Sequence, residues 1–150
     1  IYYLDLPTKI MIENVCKTKG KNRLSDFILE LEDVDISMNE KDFLSLLNEL
    51  IENACKFSQL GTPIKVSSWS KNNVLHISIN DQGRGMTEDQ INRIGAFIQF
   101  ERRHYEQQGI GLGLKIATKI VEIYQGKFSI SSIYGQETTI NIALPLVPNK

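Results

Sequence analysis

Three polar side chains on one predicted helix have the types and spacing of a phosphate-handling site. Glu49, Asn53 and Lys56 lie at positions i, i+4 and i+7, so they form one stripe on a helical wheel of about 100° per residue. The stripe lies roughly 110° from the apolar face of the same helix. An acid, an amide and a cation aligned there suit a metal, a water and a phosphate. A solvated flank with a Glu-to-Lys pair would show the same pattern.

A second candidate site directly follows a predicted strand. The segment Asp81-Gln-Gly83-Arg-Gly85-Met86 places a carboxylate at a strand end, where it can accept a hydrogen bond from an exocyclic amine. The two glycines permit positive φ and allow a ligand to approach the backbone closely. Taken alone, the segment is also consistent with a tight turn.

A third motif, Gly109-Ile-Gly111-Leu112-Gly113-Leu, leads straight into another predicted helix. The unpaired N–H groups and the dipole of such a helix start attract phosphate. The motif is not a Walker loop, because no Gly-Lys-Ser/Thr follows, nor a Rossmann fingerprint, because no strand leads directly into it. A flexible hinge before the helix is the alternative interpretation.

The two glycine motifs are joined by a polar segment, residues 96–108, without a clear period. Connections of about a dozen residues inside a small domain are usually functional lids or disordered. Phe97 and Phe100 would hold a closed lid in place, and the run Arg-Arg-His at residues 102–104 would meet phosphate. We therefore expect a lid that orders on nucleotide binding, with an ordinary exposed loop as the alternative.

Apolar periodicity predicts the elements that position these motifs. Four helices are expected, over residues 7–24, 40–57, 87–94 and 112–124. A capping box from Ser37 to Glu40 would begin the second, and Gly126 would close the last. A strand and two hairpins are expected, over residues 26–31, 63–80 and 127–144. The pattern predicts an α+β two-layer sandwich, in which a mixed sheet of about five strands carries about three helices on one face.

Composition narrows the range of functions. A chain of 150 residues is long enough for one domain, and its net charge of -1 predicts no nucleic-acid partner and no direct membrane contact. No apolar run approaches the length of a membrane span.

Cys16 and Cys55 are too few for a disulfide framework, which favours reduced thiols and a cytoplasmic location. The opening Ile1, without an initiator Met, indicates a piece of a longer protein, whose parent is either soluble or membrane-anchored.

Taken in order, the motifs resemble the boxes of the Bergerat-fold (GHKL) ATPases: histidine kinases, gyrase-type topoisomerases, the HSP90 chaperone and the MutL repair proteins. The matching segments are the N box at residues 49–57, the G1 box at 81–86, the F box at 94–100, the G2 box at 109–114 and a last glycine box at 135–139. The single lid with an F box, and the Gly-Leu-Gly-Leu form of the G2 box, point to the histidine kinase branch.

The resemblance implies a role for each matching residue. Asn53 would hold Mg²⁺, which bridges the phosphates, and Glu49 would be the polarising acid or base. Lys56 would contact phosphate, while Phe57 would pack near the nucleotide. Asp81 would accept a hydrogen bond from the adenine amino group, and Thr138 would assist through a water molecule. The remaining ATP-binding positions that the resemblance implies are Gly83, Gly85, Met86, Gly109, Gly111, Leu112 and Gly113.

Two departures from the family pattern matter. Glu137 stands where the last glycine box usually has glycine, which bears on Thr138. No His-Glu/Asp phosphoacceptor helix is present, and neither His76 in a strand nor His104 in the lid is expected to accept phosphate.

The resemblance therefore implies the ATP-binding catalytic domain of a two-component sensor histidine kinase. It would transfer the γ-phosphate of ATP to a histidine on a separate helical domain. Residues 26–150 would form this catalytic domain, and residues 1–25 a helical lead-in from the dimerisation and phosphoacceptor domain. The expected partners are that domain and a downstream response-regulator receiver domain. Two alternatives stay open: an ATP-hydrolysing clamp of the gyrase or MutL type, in which Glu49 activates water, and a degenerate, non-catalytic binding module.

Overall fold

The computed structural model describes residues 3–83, 85, 87–89 and 112–147. Its helices are α1 (Thr8–Lys19), α2 (Glu40–Phe57) and α3 (Leu112–Ile123), with a 3-10 segment at Lys21–Asp26. Its strands are β1 (Asp5–Pro7), β2 (Phe27–Leu31), β3 (Asp35–Ser37), β4 (Ile64–Lys71), β5 (Val74–Asp81), β6 (Lys127–Ile133) and β7 (Glu137–Pro145). The predicted lid, the F box, and the residues Met86, Gly109 and Gly111 lie outside the described residues.

The main sheet has five strands in the order β2-β4-β5-β7-β6. The β4–β5 and β6–β7 hairpins and the β5–β7 pair are antiparallel. Strand β2 runs parallel to β4, because α2 crosses over between them. A small separate sheet pairs β1 with β3, which sequence patterns did not predict. The expected mixed five-stranded sheet is confirmed.

Side-chain alternation assigns the two faces of the sheet. Along β5 and β7 every second residue is buried, and these residues are apolar until the last pair, Asp81 and Thr138. The three helices pack on this face: α2 contacts β5, α1 contacts β2, and α3 contacts β6 and β7. The opposite face is polar, with Ser67, Ser78, Asn141 and Ser129 in one row across four strands. The structure is therefore the predicted two-layer α+β sandwich.

Helix α2 follows its predicted wheel closely. Of the six residues that the helical wheel puts on the apolar face, Phe43, Leu46, Leu47, Leu50 and Ala54 are buried, whereas Phe57 at the helix end is only half-buried. Ile51 joins the buried set. This face packs against α1, α3 and β5.

The start of α2 differs from the expectation. Asn39, not Ser37, is the N-cap, and its side chain accepts a hydrogen bond from the Asp42 N–H at 3.1 Å. Ser37 is unable to cap the helix because it belongs to β3, where its N–H donates to the Leu146 carbonyl at 2.9 Å. Tertiary pairing therefore moved the cap by two residues.

The end of α3 also differs in detail. Gln125 takes the left-handed conformation, with φ of 61°, and the Gly126 N–H donates to the Val121 carbonyl at 2.8 Å. This is the long hydrogen bond of a Schellman turn, with Gln125 at the left-handed position and Gly126 after it. A Cβ at Gly126 would meet the Ala143 carbonyl oxygen of β7. Gly126 is therefore needed for close packing on the sheet rather than for positive φ.

The N-terminal segment packs against the rest of the chain. Ile12, Val15 and Cys16 of α1 belong to the same buried cluster as the apolar face of α2. Burial raises the pKa of Cys16 to about 12, so its thiol stays protonated and unreactive at neutral pH. The domain boundary at residue 26 stays a prediction. None of the described helices is long and apolar enough to cross a membrane.

Candidate functional site

A buried acid ends strand β5. Asp81 is only 3% exposed and lies opposite Thr138 of β7, which is equally buried. Directly paired residues of adjacent strands project to the same face, so the acid and the hydroxyl lie side by side on the helix-covered face. The two residues predicted to meet an adenine ring are therefore neighbours, although they are 57 positions apart in the sequence.

The turn after Asp81 is packed between two backbone segments. The Gly83 N–H donates to the Asp81 Oδ1 at 2.9 Å, and a Cβ at Gly83 would strike the carbonyl of Phe57 at the end of α2. A Cβ at Gly85, where φ is 71°, would strike the carbonyl of Ile133 at the end of β6. Positive φ was expected at both glycines, but only Gly85 has it, and Gly83 is required for space.

The carboxyl of Asp81 is difficult to ionise. Its pKa is raised from 3.8 to about 6, mainly by burial, and the charge of the Glu137 carboxylate adds to the rise. The Gly83 N–H and the Arg23 guanidinium act in the opposite direction and do not outweigh the burial. An ionised Asp81 would gain from a donor group on a ligand, because a buried charge is stabilised by any hydrogen bond to it.

The side chain of Glu137 points away from this pair. It accepts a hydrogen bond from Asn80 at 3.1 Å, on the opposite face of the sheet from Asp81. Thr138, one residue on, has its hydroxyl 2.9 Å from the Ser132 hydroxyl, and Ser132 donates to the Glu137 carbonyl at 2.8 Å. Successive side chains of a strand point to opposite faces of the sheet, so Glu137, which replaces the usual glycine, lies on the other face from Thr138.

The polar stripe of α2 lies on one side of a continuous helix, as its spacing predicted. Glu49 and Asn53 are half-buried, and Lys56 is exposed, with its Nζ 5.6 Å from the centroid of the Phe57 ring. Phe57 itself is half-buried at the end of the helix. Because the Phe57 carbonyl contacts Gly83, the stripe ends beside the turn that follows Asp81.

The acid at the start of the stripe is held against another element. The carboxylate of Glu49 occupies the space beside Gly113, the second residue of α3. Burial raises the pKa of Glu49, and the charge of Glu52 adds to this effect, whereas Lys19 opposes it. Lys19 of α1 forms an ion pair with Glu52 at 2.8 Å. Three helices therefore meet around the Glu49 carboxylate.

Arg23 and Ser132 contribute near the site but were not singled out for it from the sequence. Arg23, 7% exposed, forms an ion pair with Asp26 and donates to backbone carbonyls at the end of α2 and in the loop after it: Cys55, Ser58, Gln59 and Thr62. No local pattern marks it, because its partners are distant in sequence. Ser132 was detectable in principle, since counting back from the β6–β7 turn places it opposite Thr138.

The remaining predicted positions are only partly described. Leu112 is the first described residue of α3, so a helix follows the glycine motif as predicted. Met86, Gly109, Gly111 and His104 lie outside the described residues. Among the residues that are described, no group of three or more His, Cys, Asp or Glu side chains is placed to hold a metal.

Comparison with known proteins connects this geometry to a family. Residues 38–148 match the family model described as histidine kinase-, DNA gyrase B- and HSP90-like ATPase. The chain is 32% identical over 115 residues to an uncharacterised sensor-like histidine kinase of Rhizobium meliloti, covering 74% of this chain and 22% of that protein. It is 32% identical over 123 residues to the signal transduction histidine-protein kinase ArlS of Staphylococcus epidermidis, covering 79% and 26%. The chain thus spans about a quarter of the curated relatives it matches.

Solved structures share the fold. The catalytic domain of the histidine kinase ThkA superposes with a TM-score of 0.83 at 20% identity, covering 99% of this chain and 100% of that one. The mycobacterial sensor histidine kinase MprB gives 0.82 at 20% identity, covering 98% and 99%. The matched residues hold α2, β4, β5, α3, β6 and β7, which include the elements that carry the buried acid and the polar stripe. The chain belongs to the histidine kinase-, DNA gyrase B- and HSP90-like ATPases.

Proposed function

We propose that this domain binds ATP and transfers its γ-phosphoryl group to a histidine on a separate helical domain of a sensor histidine kinase. The observation that carries the proposal is Asp81, a buried acid at a strand end with a raised pKa. Burying a carboxylate lowers the stability of the fold unless a partner or a ligand binds it. A buried acid with a raised pKa is therefore a sign of a functional site.

Asp81 would recognise adenine. An ionised carboxylate accepts from the adenine amino group and repels the carbonyl oxygen that guanine presents at the same position. The adjacent Thr138 would assist through a water molecule. With the Ser132 hydroxyl proton on the Glu137 carbonyl, the Thr138 hydroxyl would donate to Ser132 and would keep its lone pairs available as acceptors.

The polar stripe of α2 would handle the phosphates. Asn53 offers an amide oxygen from a half-buried position, a hard ligand that fits Mg²⁺ held by one or two protein oxygens together with phosphates and water. Bound Mg²⁺ would neutralise phosphate charge, while Lys56 contacts the phosphate tail and Phe57 packs near the nucleotide. The backbone amides at the start of α3, with the glycine motif at residues 109–113, would complete the cradle.

Glu49 would be the catalytic acid or base. During transfer, the bond between the γ-phosphorus and the bridging oxygen breaks, a bond to an imidazole nitrogen forms, and ADP leaves. Phosphoryl transfer requires mainly positioning and charge stabilisation. The ionised Glu49 would accept a hydrogen bond from the other ring N–H and so orient the attacking imidazole. Its anchored position between α2 and α3 suits that role.

The partners of the whole protein follow from this chemistry. The acceptor histidine would lie on the dimerisation and phosphotransfer domain of the same protein, and a response-regulator receiver domain would take the phosphoryl group next. A domain of this kind acts in the cytoplasm, whether or not the parent is anchored in a membrane. No observation on the described residues favours the gyrase or MutL alternative.

Labelled ATP provides the direct test of transfer. The chain is incubated with γ-labelled ATP and Mg²⁺, with and without a dimeric histidine-bearing helical domain from its parent. Acid-labile label should appear only on the added domain. Release of inorganic phosphate without protein labelling would support a hydrolysing clamp, and binding without turnover would support a non-catalytic module; either outcome contradicts the proposal.

Two substitutions separate metal binding from chemistry. Asn53→Ala should abolish the enhancement of nucleotide binding by Mg²⁺. Glu49→Gln should leave ADP affinity within about threefold but slow transfer, because the lost interaction matters mainly in the transition state. Full Mg²⁺-dependent activity in Asn53→Ala would show that the metal assignment is wrong.

A further inference from the structure

The second residue of α3 is a glycine in a place where glycine is unfavourable. Gly113 does not have a positive φ, so its backbone conformation is open to any residue. Glycine in a helix lowers stability by roughly 0.5–1 kcal/mol relative to alanine. The reason for glycine at this position must therefore lie in its surroundings.

A side chain at this position would meet the Glu49 carboxyl group. A Cβ built on Gly113 comes closer than 3.0 Å to the Glu49 Oε2 and lies 3.5 Å from its Cδ. Among the described residues outside its own helix and chain neighbours, nothing else lies within 4 Å of that Cβ. The space is filled by one carboxyl group alone.

The other described glycines differ in this respect. A Cβ at Gly85 or Gly126 would strike a backbone carbonyl, which is a matter of chain packing, and a Cβ at Gly83 would strike both the Phe57 carbonyl and the Asp81 carboxylate. A Cβ at Gly20 would strike the ring of Phe27, and Gly61 and Gly135 have open space around them. Within the described part of the chain, Gly113 is thus the glycine whose Cβ would meet an acid of the candidate site and nothing else.

We propose that Gly113 is a positioning residue for Glu49: its missing side chain allows the carboxylate to lie against the first turn of α3. This inference rests on the proposed function, since it concerns the orientation of the acid in the transfer reaction. A methyl group at residue 113 would push the carboxylate away from α3, the element whose start is proposed to hold phosphate. Displacement of a catalytic group by about 1 Å can reduce a rate by about a hundredfold.

A thermal-unfolding cycle tests the contact without any activity measurement. In the Glu49→Ala background Gly113→Ala should raise Tm by about 2–4 °C, because only the gain in helix propensity remains. With Glu49 present the gain in Tm should be smaller or absent, because the methyl has to displace the carboxyl group at the far end of that flexible side chain. An equal change of Tm in both backgrounds would overturn the proposal. If Gly113→Ala alone fails to fold, recovery of folding in the Glu49→Ala background supports the contact, and failure to recover overturns it.

Gly126→Ala, in the turn that closes α3, is the matched control. Its Cβ would meet a carbonyl of β7 and not Glu49, so its loss of Tm should be the same in both backgrounds. A dependence of the Gly126→Ala effect on Glu49 would mean that the Gly113 coupling reports general weakening of the fold, and would overturn the specific assignment.

Phosphoryl transfer tests the functional half of the proposal. Gly113→Ala should slow transfer to the added histidine domain by about tenfold or more, a loss larger than any loss of ADP affinity, because the substitution keeps the backbone amide of residue 113 in the proposed phosphate cradle. Glu49→Asp shortens the acid by one methylene, so Gly113→Ala should slow transfer less in that background. Equal slowing in both backgrounds, or a loss confined to ADP affinity, would overturn the positioning role. If the unsubstituted chain transfers no phosphate, the proposed function fails, while the unfolding cycle still decides whether Gly113 positions Glu49.

Discussion

Arg23 and Asp81 are both buried charged side chains, yet the protein treats them in opposite ways. Arg23 has its guanidinium surrounded by one carboxylate and four backbone carbonyls. Asp81 receives one hydrogen bond from Gly83 within the described residues, and burial raises its pKa to about 6. The first charge is compensated by the fold itself, whereas the second is compensated incompletely.

The difference distinguishes a structural charge from a binding charge. A buried ion that is fully hydrogen-bonded holds its neighbours in place, and removing it leaves them unpaired. A buried ion that lacks compensation lowers stability until a ligand supplies the missing donor. Arg23 is thus expected to stabilise the loop after α2, whereas Asp81 is expected to lower the stability of the free domain and to contribute to nucleotide binding.

The largest effect is expected for Arg23. Arg23→Met should lower the free energy of unfolding by about 3–5 kcal/mol, because several buried carbonyls and Asp26 lose their donor. Lys19→Met is the matched control, since Lys19 is a partly exposed lysine in an ion pair with Glu52, and it should have little effect. Urea unfolding of both variants measures the difference. Equal effects would show that the Arg23 cluster is no more important than a surface pair.

Asp81 should behave in the opposite sense. Its folded pKa of about 6 lies above its ordinary value of 3.8. Between these two pH values the folded state keeps the Asp81 proton, which the unfolded state has released. The contribution of the protonated Asp81 carboxyl to the free energy of unfolding is therefore fully present below about pH 4 and is lost as pH rises through 6. Asp81→Asn should therefore raise stability at pH 7 by about 1–3 kcal/mol.

Unfolding measured from pH 4 to pH 7 tests this difference. The unsubstituted chain should lose more stability across that range than Asp81→Asn does. Parallel pH profiles would mean that the Asp81 carboxyl is not destabilised by burial, and the contrast with Arg23 would then fail.

The same substitution should weaken nucleotide binding. A hydrogen bond to a charged group contributes roughly 1.5–3 kcal/mol, so Asp81→Asn should reduce ADP affinity by about tenfold or more while improving stability. Calorimetry with ADP and GDP provides the measurement, and the unsubstituted chain should prefer ADP clearly. Equal ADP and GDP affinities in the unsubstituted chain would contradict adenine recognition by Asp81.

The smallest effect is expected at Glu137. Glu137→Gly restores the residue usual in the last glycine box, but the Glu137 side chain already points to the opposite face of the sheet, toward Asn80. ADP affinity should therefore change by less than about threefold, apart from a slight gain as Asp81 loses a nearby negative charge. A tenfold change in ADP affinity would show that Glu137 reaches the nucleotide site after all.

Local sequence determined the elements and the arrangement of the polar stripe. The 3.6-residue period of α2 was sufficient to predict its buried face and the common side shared by Glu49, Asn53 and Lys56, because a helix fixes these directions internally. The hairpins followed from alternation and turn residues, and the described part of α3, from Leu112 on, is helical as predicted. These features depend on residues that are near one another in the chain.

Only the tertiary structure decided which distant residues meet. The Asn39 cap, the small β1–β3 sheet and the Arg23 cluster each depend on partners far along the chain, so no local pattern marks them. The pairing of Asp81 with Thr138 required the strand order, because β7 and not a sequential neighbour lies on the far side of β5. The contact of Glu49 with Gly113 required the packing of α2 on α3. Sequence spacing identifies which side chains can do chemistry, whereas the space each one occupies is set by elements that meet only in the folded chain.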